Sequence, residues 1–278
     1  MSVRPVPAVV VAAIVIPVIT AASLARAPQA PAPAAGAPAP PAATVPASPQ
    51  PPTPAAVQTL SPDQVIAALR RPENSTGNIA DAVEAATGAR GWMSSDMKPI
   101  GTGKIVGRAW TALVRPVLKS DTRTYPNYLL QILDEAPAGS VLVYVMEDGL
   151  EIAAMGNLMA ATAVARGLEG TVIDGAIRDV TEIRAMGHKV FARRISPATS
   201  VGRMVSVSKQ TPVRCGEILV TPGDFIVGDG DGVVVVPQAA ANQVVALLKD
   251  YDARESKMLP IIQREKSMLK ALEIYGRY

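Results

Sequence analysis

Apolar and polar positions follow three regimes along the 278 residues. Arg4 is followed by an uncharged apolar run from Pro5 to Ala25, and residues 28–57 show no period. From Ser61 onward the pattern becomes periodic. Ser61-Pro62-Asp63-Gln64 reads as a helix start, with Ser as N-cap, Pro in the first turn and Gln returning the cap. Val65, Ile66, Ala68 and Leu69 give that helix its apolar face. A second helix is predicted from Asn78 to Ala86, capped by Ser75 or Thr76 and closed by Gly88. Alternation from Ile105 to Val114 predicts a strand, and Tyr128 to Leu133 a helix. The unbroken apolar run Val141 to Met146 predicts a strand buried on both faces. A helix from Leu158 to Arg166, a strand Thr171 to Ile173, a short helix Val180 to Met186 and a strand Val190 to Ala192 then alternate. This βαβαβ order predicts a parallel sheet with right-handed crossovers.

After Ala192 the pattern changes. Pro212, Cys215-Gly216, Pro222-Gly223 and the glycines from Gly228 to Gly232 punctuate short strands at Ile218 to Val220, Phe225 to Val227 and Val233 to Val236. Such spacing predicts hairpins, so the domain mixes parallel and antiparallel pairs. A helix runs from Ala239 to about Met258, Pro260 interrupts it, and a further helix reaches Tyr275. Leu247, Leu248, Met258, Ile261, Ile262, Met268 and Leu272 give this tail more apolar surface than solvation requires, which points to packing on a neighbouring subunit.

Composition separates the N-terminal regimes from the rest. Of 25 prolines, 14 precede residue 58. Residues 1–27, with a basic start, an apolar stretch and small residues, describe an export signal or a membrane anchor; a span needs about 20 apolar residues. Residues 28–57 form an Ala/Pro-rich linker, either a tether or an unstructured remnant, and the ordered α/β domain takes 58–278. The expected location is therefore outside the cytoplasm, periplasmic or secreted, with or without a membrane tether. Net charge is +3, and +1 without Arg4 and Arg26; the remaining basic residues are interleaved with acids, so no nucleic-acid partner is expected.

A single cysteine, Cys215, excludes an intramolecular disulfide and a Cys-based zinc site. A single histidine, His188, excludes a multi-histidine metal site. Both read as structural, His188 at a helix end and Cys215 in a turn. Gly101-x-Gly103-x-x-x-Gly107 has the wrong spacing for a dinucleotide fingerprint and precedes a strand, so it is assigned to a turn.

The candidate chemistry lies between Gly156 and Asp179. Gly156 gives the backbone room, and Asn157 is a good N-cap for the next helix. The amides of Leu158 and Met159 would then point outward as a seat for a carboxylate. Arg178 and Asp179 follow the strand Thr171 to Ile173, at the carboxyl edge where parallel-sheet ligand sites lie. Arg178 can hold a carboxylate or enolate oxygen, and Asp179 can anchor a hydrated divalent cation. On composition and spacing alone these residues also admit a bland reading. Every helix has such an N-terminus, Asp179-x-x-Glu182 is a capping-box pattern, and Arg178 can pair with Glu182 on the surface.

Gly156-Asn157-Leu158-Met159, Arg166-Gly167-x-x-Gly170 and Val172-Ile173-Asp174-Gly175-Ala176-Ile177-Arg178-Asp179 resemble the class II 4-hydroxy-4-methyl-2-oxoglutarate aldolases, a family that includes the regulator of ribonuclease activity A. Asn78-Ile79-Ala80-Asp81-Ala82, Ala136 to Ser140, Val190 to Arg193, Pro222 to Asp224 and Asp231 to Pro237 extend the likeness from about residue 64 to the C-terminus. The resemblance implies a swivelling β/β/α-type domain with a mixed sheet and C-terminal helices, assembled as a homotrimer or homohexamer with its site between subunits. It implies a lyase that cleaves a small 2-oxo acid through a pyruvate enolate, either an aldolase or an oxaloacetate decarboxylase, with Mg²⁺ or Mn²⁺. Asp179 matches the metal ligand, Arg178 the catalytic arginine on the pyruvyl group, and Gly156, Asn157, Leu158 and Met159 the loop that takes the substrate carboxylate. Glu255 is the candidate for an acid supplied by a neighbour's C-terminal helix. One departure stands out: where the aldolases carry an acid, twenty intervening residues before the Arg-Asp pair, this chain has Asn157. An amide carries no charge and is no base at neutral pH, so the alternative is a binding or regulatory protein with weak catalysis or none.

Overall fold

The computed structural model describes residues 59–275; the segments expected over 1–27 and 28–57 lie outside the described residues. Two helices, α1 (Pro62–Arg70) and α2 (Thr76–Thr87), precede strands β1 (Lys98–Pro99) and β2 (Ile105–Pro116). The middle of the chain alternates through α3 (Tyr128–Glu135), β3 (Val141–Met146), β4 (Ala153–Met155), α4 (Asn157–Ala165), β5 (Gly170–Ile177), α5 (Val180–Met186) and β6 (Val190–Ile195). Strands β7 (Met204–Lys209), β8 (Val213–Cys215), β9 (Ile218–Val220), β10 (Phe225–Gly228) and β11 (Val233–Val236) follow. A short 3₁₀ turn at Gln238–Ala240 then leads into α6 (Ala241–Glu265) and α7 (Met268–Tyr275).

The capping box at Ser61 forms as its sequence dictates, with the Ser61 side chain accepting from the Gln64 N–H and the Gln64 side chain accepting from the Ser61 N–H. α2 is capped by Ser75 and closed by Gly88 in the left-handed region. Nine strands form one sheet in the order β1-β6-β5-β3-β2-β10-β11, with β4 beside β5 and β7 beside β2; β8 and β9 form a separate hairpin. β2, β3, β5 and β6 are parallel neighbours, whereas β1, β7, β10 and β11 pair antiparallel. The mixed sheet and the C-terminal helices are those the sequence predicts.

β3 explains why the sheet is covered on both sides. All six of its residues are buried. Leu142, Tyr144 and Met146 enter a cluster with α3, α4 and α5, and Val141, Val143 and Val145 enter one with Met93, Val213, Cys215 and Val220. Burying each such side chain contributes roughly 1.5–3 kcal/mol. The Tyr144 hydroxyl pairs with the Leu129 carbonyl at 2.9 Å, so its polar end is satisfied inside the core.

Four sequence expectations need correction. β2 does not alternate between core and solvent: Ile105, Val106, Ala109, Ala112 and Val114 are buried among three clusters, because both faces of the sheet are covered at this strand. β5 runs on to Ile177, well past Ile173. The strands β1, β4, β7 and β8 are absent from the sequence prediction; β1, β4 and β8 are pieces of two or three residues whose pairing is set by distant partners, and β7 carries the alternation Val205-Ser206-Val207-Ser208. Pro260 does not stop the C-terminal helix; α6 continues through it for 25 residues, and the break comes at Lys266, which has φ 50°. The proline forgoes only one backbone bond, and the turns around it are held by buried Met258 and by packing on α7.

His188 and Cys215 are both buried, in keeping with structural roles. His188 Nε2 lies 2.9 Å from Thr171 Oγ1, and burial, with a smaller contribution from Lys189, lowers its pKa to about 4. Since the folded pKa lies below the unfolded value of about 6.5, stability is full above that pH and falls as acid protonates the unfolded chain preferentially. The expected loss between pH 6.5 and about 4 is on the order of 3 kcal/mol. In urea unfolding at both ends of this window, His188→Gln should remove most of that pH dependence; an unchanged slope would assign it to other groups.

Candidate active site

The site is built where β5 changes partner. Gly170 to Asp174 pair with β3, and beyond the irregularity between Ile173 and Ala176 the strand pairs with β4, Ala176 opposite Ala153 and Ile177 opposite Met155. The carboxyl ends of β4 and β5 therefore lie side by side, and the turns that leave them meet. The Arg178 N–H donates to the Met155 carbonyl at 3.1 Å, which fixes one turn against the other.

Asp174 sits at the point of change. Arg193 bridges it to Asp96, with Nη1 3.0 Å from Asp174 Oδ1 and Nε 2.9 Å from Asp96 Oδ2. The other Asp174 oxygen accepts the Gly216 N–H at 2.7 Å. This support had no role in the sequence reading, although both Asp174 and Arg193 fall inside motifs quoted there.

Gly156, not Asn157, is the N-cap of α4, and as a glycine it offers no side-chain cap of its own. Asn157 is its first residue, and its N–H donates to Asp179 Oδ2 at 3.0 Å. Arg178 Nε lies 3.6 Å from the same oxygen. Asp179 holds a left-handed backbone, φ 58°, and its carboxylate caps nothing on its own helix, so the capping box with Glu182 does not form. The carboxylate is committed to α4 instead. The pairing of Arg178 is likewise with Asp179 rather than Glu182. Glycine at 156 is required by this approach: a Cβ there would stand 2.5 Å from Asp179 Oδ2 and 3.0 Å from Arg178 Nε.

The amides of Leu158 and Met159 have no hydrogen-bond partner among the described residues. They remain as donors at the start of a helix, as the sequence predicts. Gly156 to Met159 and Arg178 form one wall of a cleft of about 560 Å³. The other walls come from α3, which the sequence predicts as a helix, and from Tyr125 to Asn127 and Thr199 to Gly202, two irregular segments that carried no signal in the sequence. Asp179 does not line the cleft; it touches Asn157 and Arg178, which do. Leu158 projects its side chain outward, 79% exposed.

Glu255 is elsewhere in the chain. It lies on α6, where Oε2 accepts from Asn78 Nδ2 at 3.4 Å, and it borders a groove with Asp252 and Leu259. α6 packs mainly on α1, α2 and α7. A part for Glu255 beside Asp179 therefore requires a second subunit.

Among the described residues no group of three or more His, Cys, Asp and Glu side chains comes together. The local donors are one carboxylate, Asp179, and the Asn157 amide oxygen. That set does not make a closed protein cage. It does fit a hydrated Mg²⁺-like cation held through one carboxylate, which takes its remaining ligands from water and a bound oxyacid. Among the described residues no helix is long and apolar enough to cross a membrane.

A family model described as RraA-like, aldolase/RraA, matches residues 76–235. The chain is 30% identical over 203 residues to Protein DlpA of Legionella pneumophila, covering 72% of this chain and 32% of that one, so it spans about a third of that relative's length. It is 31% identical over 189 residues to the "Putative 4-hydroxy-4-methyl-2-oxoglutarate aldolase" of Halalkalibacterium halodurans, covering 64% of this chain and 81% of the relative. The crystal structure of Streptomyces coelicolor RraAS2, described as an unusual member of the RNase ES inhibitor RraA protein family, matches with a TM-score of 0.61. Its sequence identity is 26%, over 69% of this chain and 93% of that one.

The contact between the two turns gives a direct test. In Gly156→Ala the new methyl pushes against the ends of two flexible side chains, not against backbone, so the cost in stability should stay below about 1 kcal/mol. The Asp179 carboxylate should move off, and the Asn157 amide should exchange its hydrogen faster than in the parent. Parent-like exchange at Asn157 in the folded variant would show that this hydrogen bond does not hold the turns together.

Proposed function

The chain belongs to the RraA-like family of aldolase/RraA proteins, and from that premise we propose that it is a divalent-metal-dependent lyase that cleaves a 2-oxo acid through a pyruvate enolate. The observation that carries this reading is the meeting of two unpaired helix-start amides, the Arg178 guanidinium and the Asp179 carboxylate on adjacent turns at the carboxyl edge of the sheet. The amides of Leu158 and Met159 seat the substrate carboxylate, and Arg178 faces the keto oxygen. As the bond beyond C3 breaks, its electron pair moves toward that oxygen, and a preorganised guanidinium stabilises the developing charge by several kcal/mol. Asp179, with help from Asn157, would hold the cation, whose contribution is to polarise the keto group as a Lewis acid.

Asn157 decides which cleavage is easier. Decarboxylation of oxaloacetate needs the enolate and no base. A retro-aldol also needs the substrate hydroxyl to lose its proton, and the Asn157 amide cannot take it at neutral pH. The same residue supports the second reading, a binding or regulatory protein of the ribonuclease-regulator type with little or no turnover. Assembly as a trimer or hexamer, with Glu255 reaching a neighbour's site, and export through the N-terminal segment belong to the proposal as well.

The test is pyruvate release by the purified full chain from oxaloacetate with Mg²⁺ or Mn²⁺. EDTA should abolish release above the metal-only background, and Arg178→Ala and Asp179→Ala should each lower it by about 10²-fold or more. Asn157→Asp should raise the retro-aldol rate on 4-hydroxy-4-methyl-2-oxoglutarate more than the decarboxylation rate. Release that survives in Arg178→Ala would sink the enolate mechanism. Absence of release from a folded, metal-loaded protein would leave the binding reading in its place.

A further inference from the structure

We infer that the Asn127 side chain receives the second carboxylate of a 2-oxo dicarboxylate whose head lies at Arg178. The inference rests on the reading of Arg178 and the Leu158–Met159 amides as the seat of that head. It gives Asn127 a part in specificity beyond its place as the cap of α3.

Topology brings Asn127 to the same cleft. β2 and β4 run parallel to the strands between and beside them, α3 follows β2, and α4 follows β4. Both helices therefore start at the carboxyl edge of the sheet. Asn127 and Arg178 both line the cleft, on different walls. A pyruvyl head takes up about as much space as four waters, at roughly 30 Å³ each. The cleft holds about 560 Å³, so most of it lies beyond the head and receives the rest of the ligand or water.

The helix it caps fixes the orientation of the Asn127 amide. Oδ1 accepts the Leu130 N–H at 3.2 Å, which leaves Nδ2 as the free end. Nδ2 has no hydrogen-bond partner among the described residues. Its polar neighbours on the lining are committed: the Tyr125 hydroxyl donates to Asp121 at 2.8 Å, Ser206 Oγ accepts the Tyr128 N–H, and Thr199 Oγ1 accepts the Val201 N–H. Asn127 thus offers a ligand two N–H donors, and a carboxylate binds such donors more strongly than a neutral acceptor does.

Charge around the cleft agrees. No lining side chain is acidic. On the bordering segments Asp121 is paired with Arg123 and Glu135 with Lys209, each at 2.6 Å, and Asp134 is exposed at the far end of α3. Arg115 follows Val114 on β2 and stands opposite Val205, and both of these line the cleft. Among the described residues the Arg115 side chain has no hydrogen bond or ion pair, and it is near enough for its charge to act on the Tyr125 hydroxyl. A distal carboxylate at Asn127 therefore exchanges water for a hydrogen-bonded amide in the field of an unpaired arginine, and its desolvation is offset.

Calorimetric titration of the full chain in Mg²⁺ tests this with 2-oxoglutarate and 2-oxopentanoate, acids of equal chain length that differ in the distal carboxylate. 2-Oxoglutarate should bind about tenfold more tightly. Aspartate caps a helix as well as asparagine does, so Asn127→Asp should keep the Leu130 contact and the fold. It puts a negative charge where the donor was, and should weaken 2-oxoglutarate by about tenfold or more while leaving 2-oxopentanoate within about twofold of the parent. Arg115→Gln should cause a smaller loss, again confined to the dicarboxylate, and should flatten its salt dependence. Parent and variants are compared in the same assembly, so groups that a neighbouring subunit adds to the cleft are common to all. Equal binding of the two acids by the parent would overturn the inference, as would an Asn127→Asp loss shared by both acids or no binding by either. A preference for the dicarboxylate without pyruvate release from oxaloacetate would remove the lyase reading and keep this one. Release without that preference would do the reverse.

Discussion

The arrangement depends on one change of partner in one strand. β5 leaves β3 at Asp174 and finishes against β4, and only that switch brings the turn after β4 next to the turn after β5. A carboxylate with a mostly buried side chain stands at the switch, and such a charge is tolerable only when it is paired and hydrogen-bonded. Arg193 and the Gly216 N–H supply both, and Asp96 satisfies the second half of the Arg193 fork. β6, β5 and the hairpin turn after β8 are thereby tied at the point where the sheet is irregular. Removing one member would leave its partners buried and unpaired, which is worse than never having had them. The network is a support for the site and does not belong to its chemistry.

From that support the site follows by short steps. The Met155 carbonyl holds the Arg178 backbone, Gly156 leaves space for the Arg178 and Asp179 side chains, and the Asn157 amide takes an Asp179 oxygen. Asp179 could instead have capped its own helix. Its left-handed backbone turns the carboxylate away from that role, and asparagine or aspartate enters this region more readily than most residues. One carboxylate thus joins two helix starts, and the amides left over belong to α4, on the wall of the cleft.

Much of this was legible in the chain and some of it could not have been. Val141 to Met146, with no polar side chain but the Tyr144 hydroxyl, admits little besides a strand covered on both faces, and that is what it forms. The Ser61 and Ser75 starts and the Gly88 stop are local chemistry and could be read locally. β4 has three residues, too few for any period, and its place is set by pairing with β5. The commitment of Asp179 to α4 was hidden for the same reason, since Asp179-x-x-Glu182 satisfies a local rule that the tertiary contact overrides. Arg178, Asp179 and Gly156 to Met159 were identified as a group, but the cleft was not, because its other walls come from irregular segments near residues 125 and 200.

Asn157 then acquires a meaning that its position in a motif does not convey. The resemblance puts an acid here in the aldolases, and an acid at 157 would place a second negative charge within reach of Asp179. Two facing carboxylates repel unless a cation lies between them, so such a site depends on its metal. With an amide at 157, Arg178 and Asp179 already balance each other, and the folded site is electrically complete without an ion. A cation placed there would be held less strongly for that reason. An arriving oxyacid anion, however, meets the Arg178 guanidinium and the open amides of Leu158 and Met159 with no opposing charge on the Asn157 side chain. The substitution moves the balance of the site from keeping a cation toward keeping an anion.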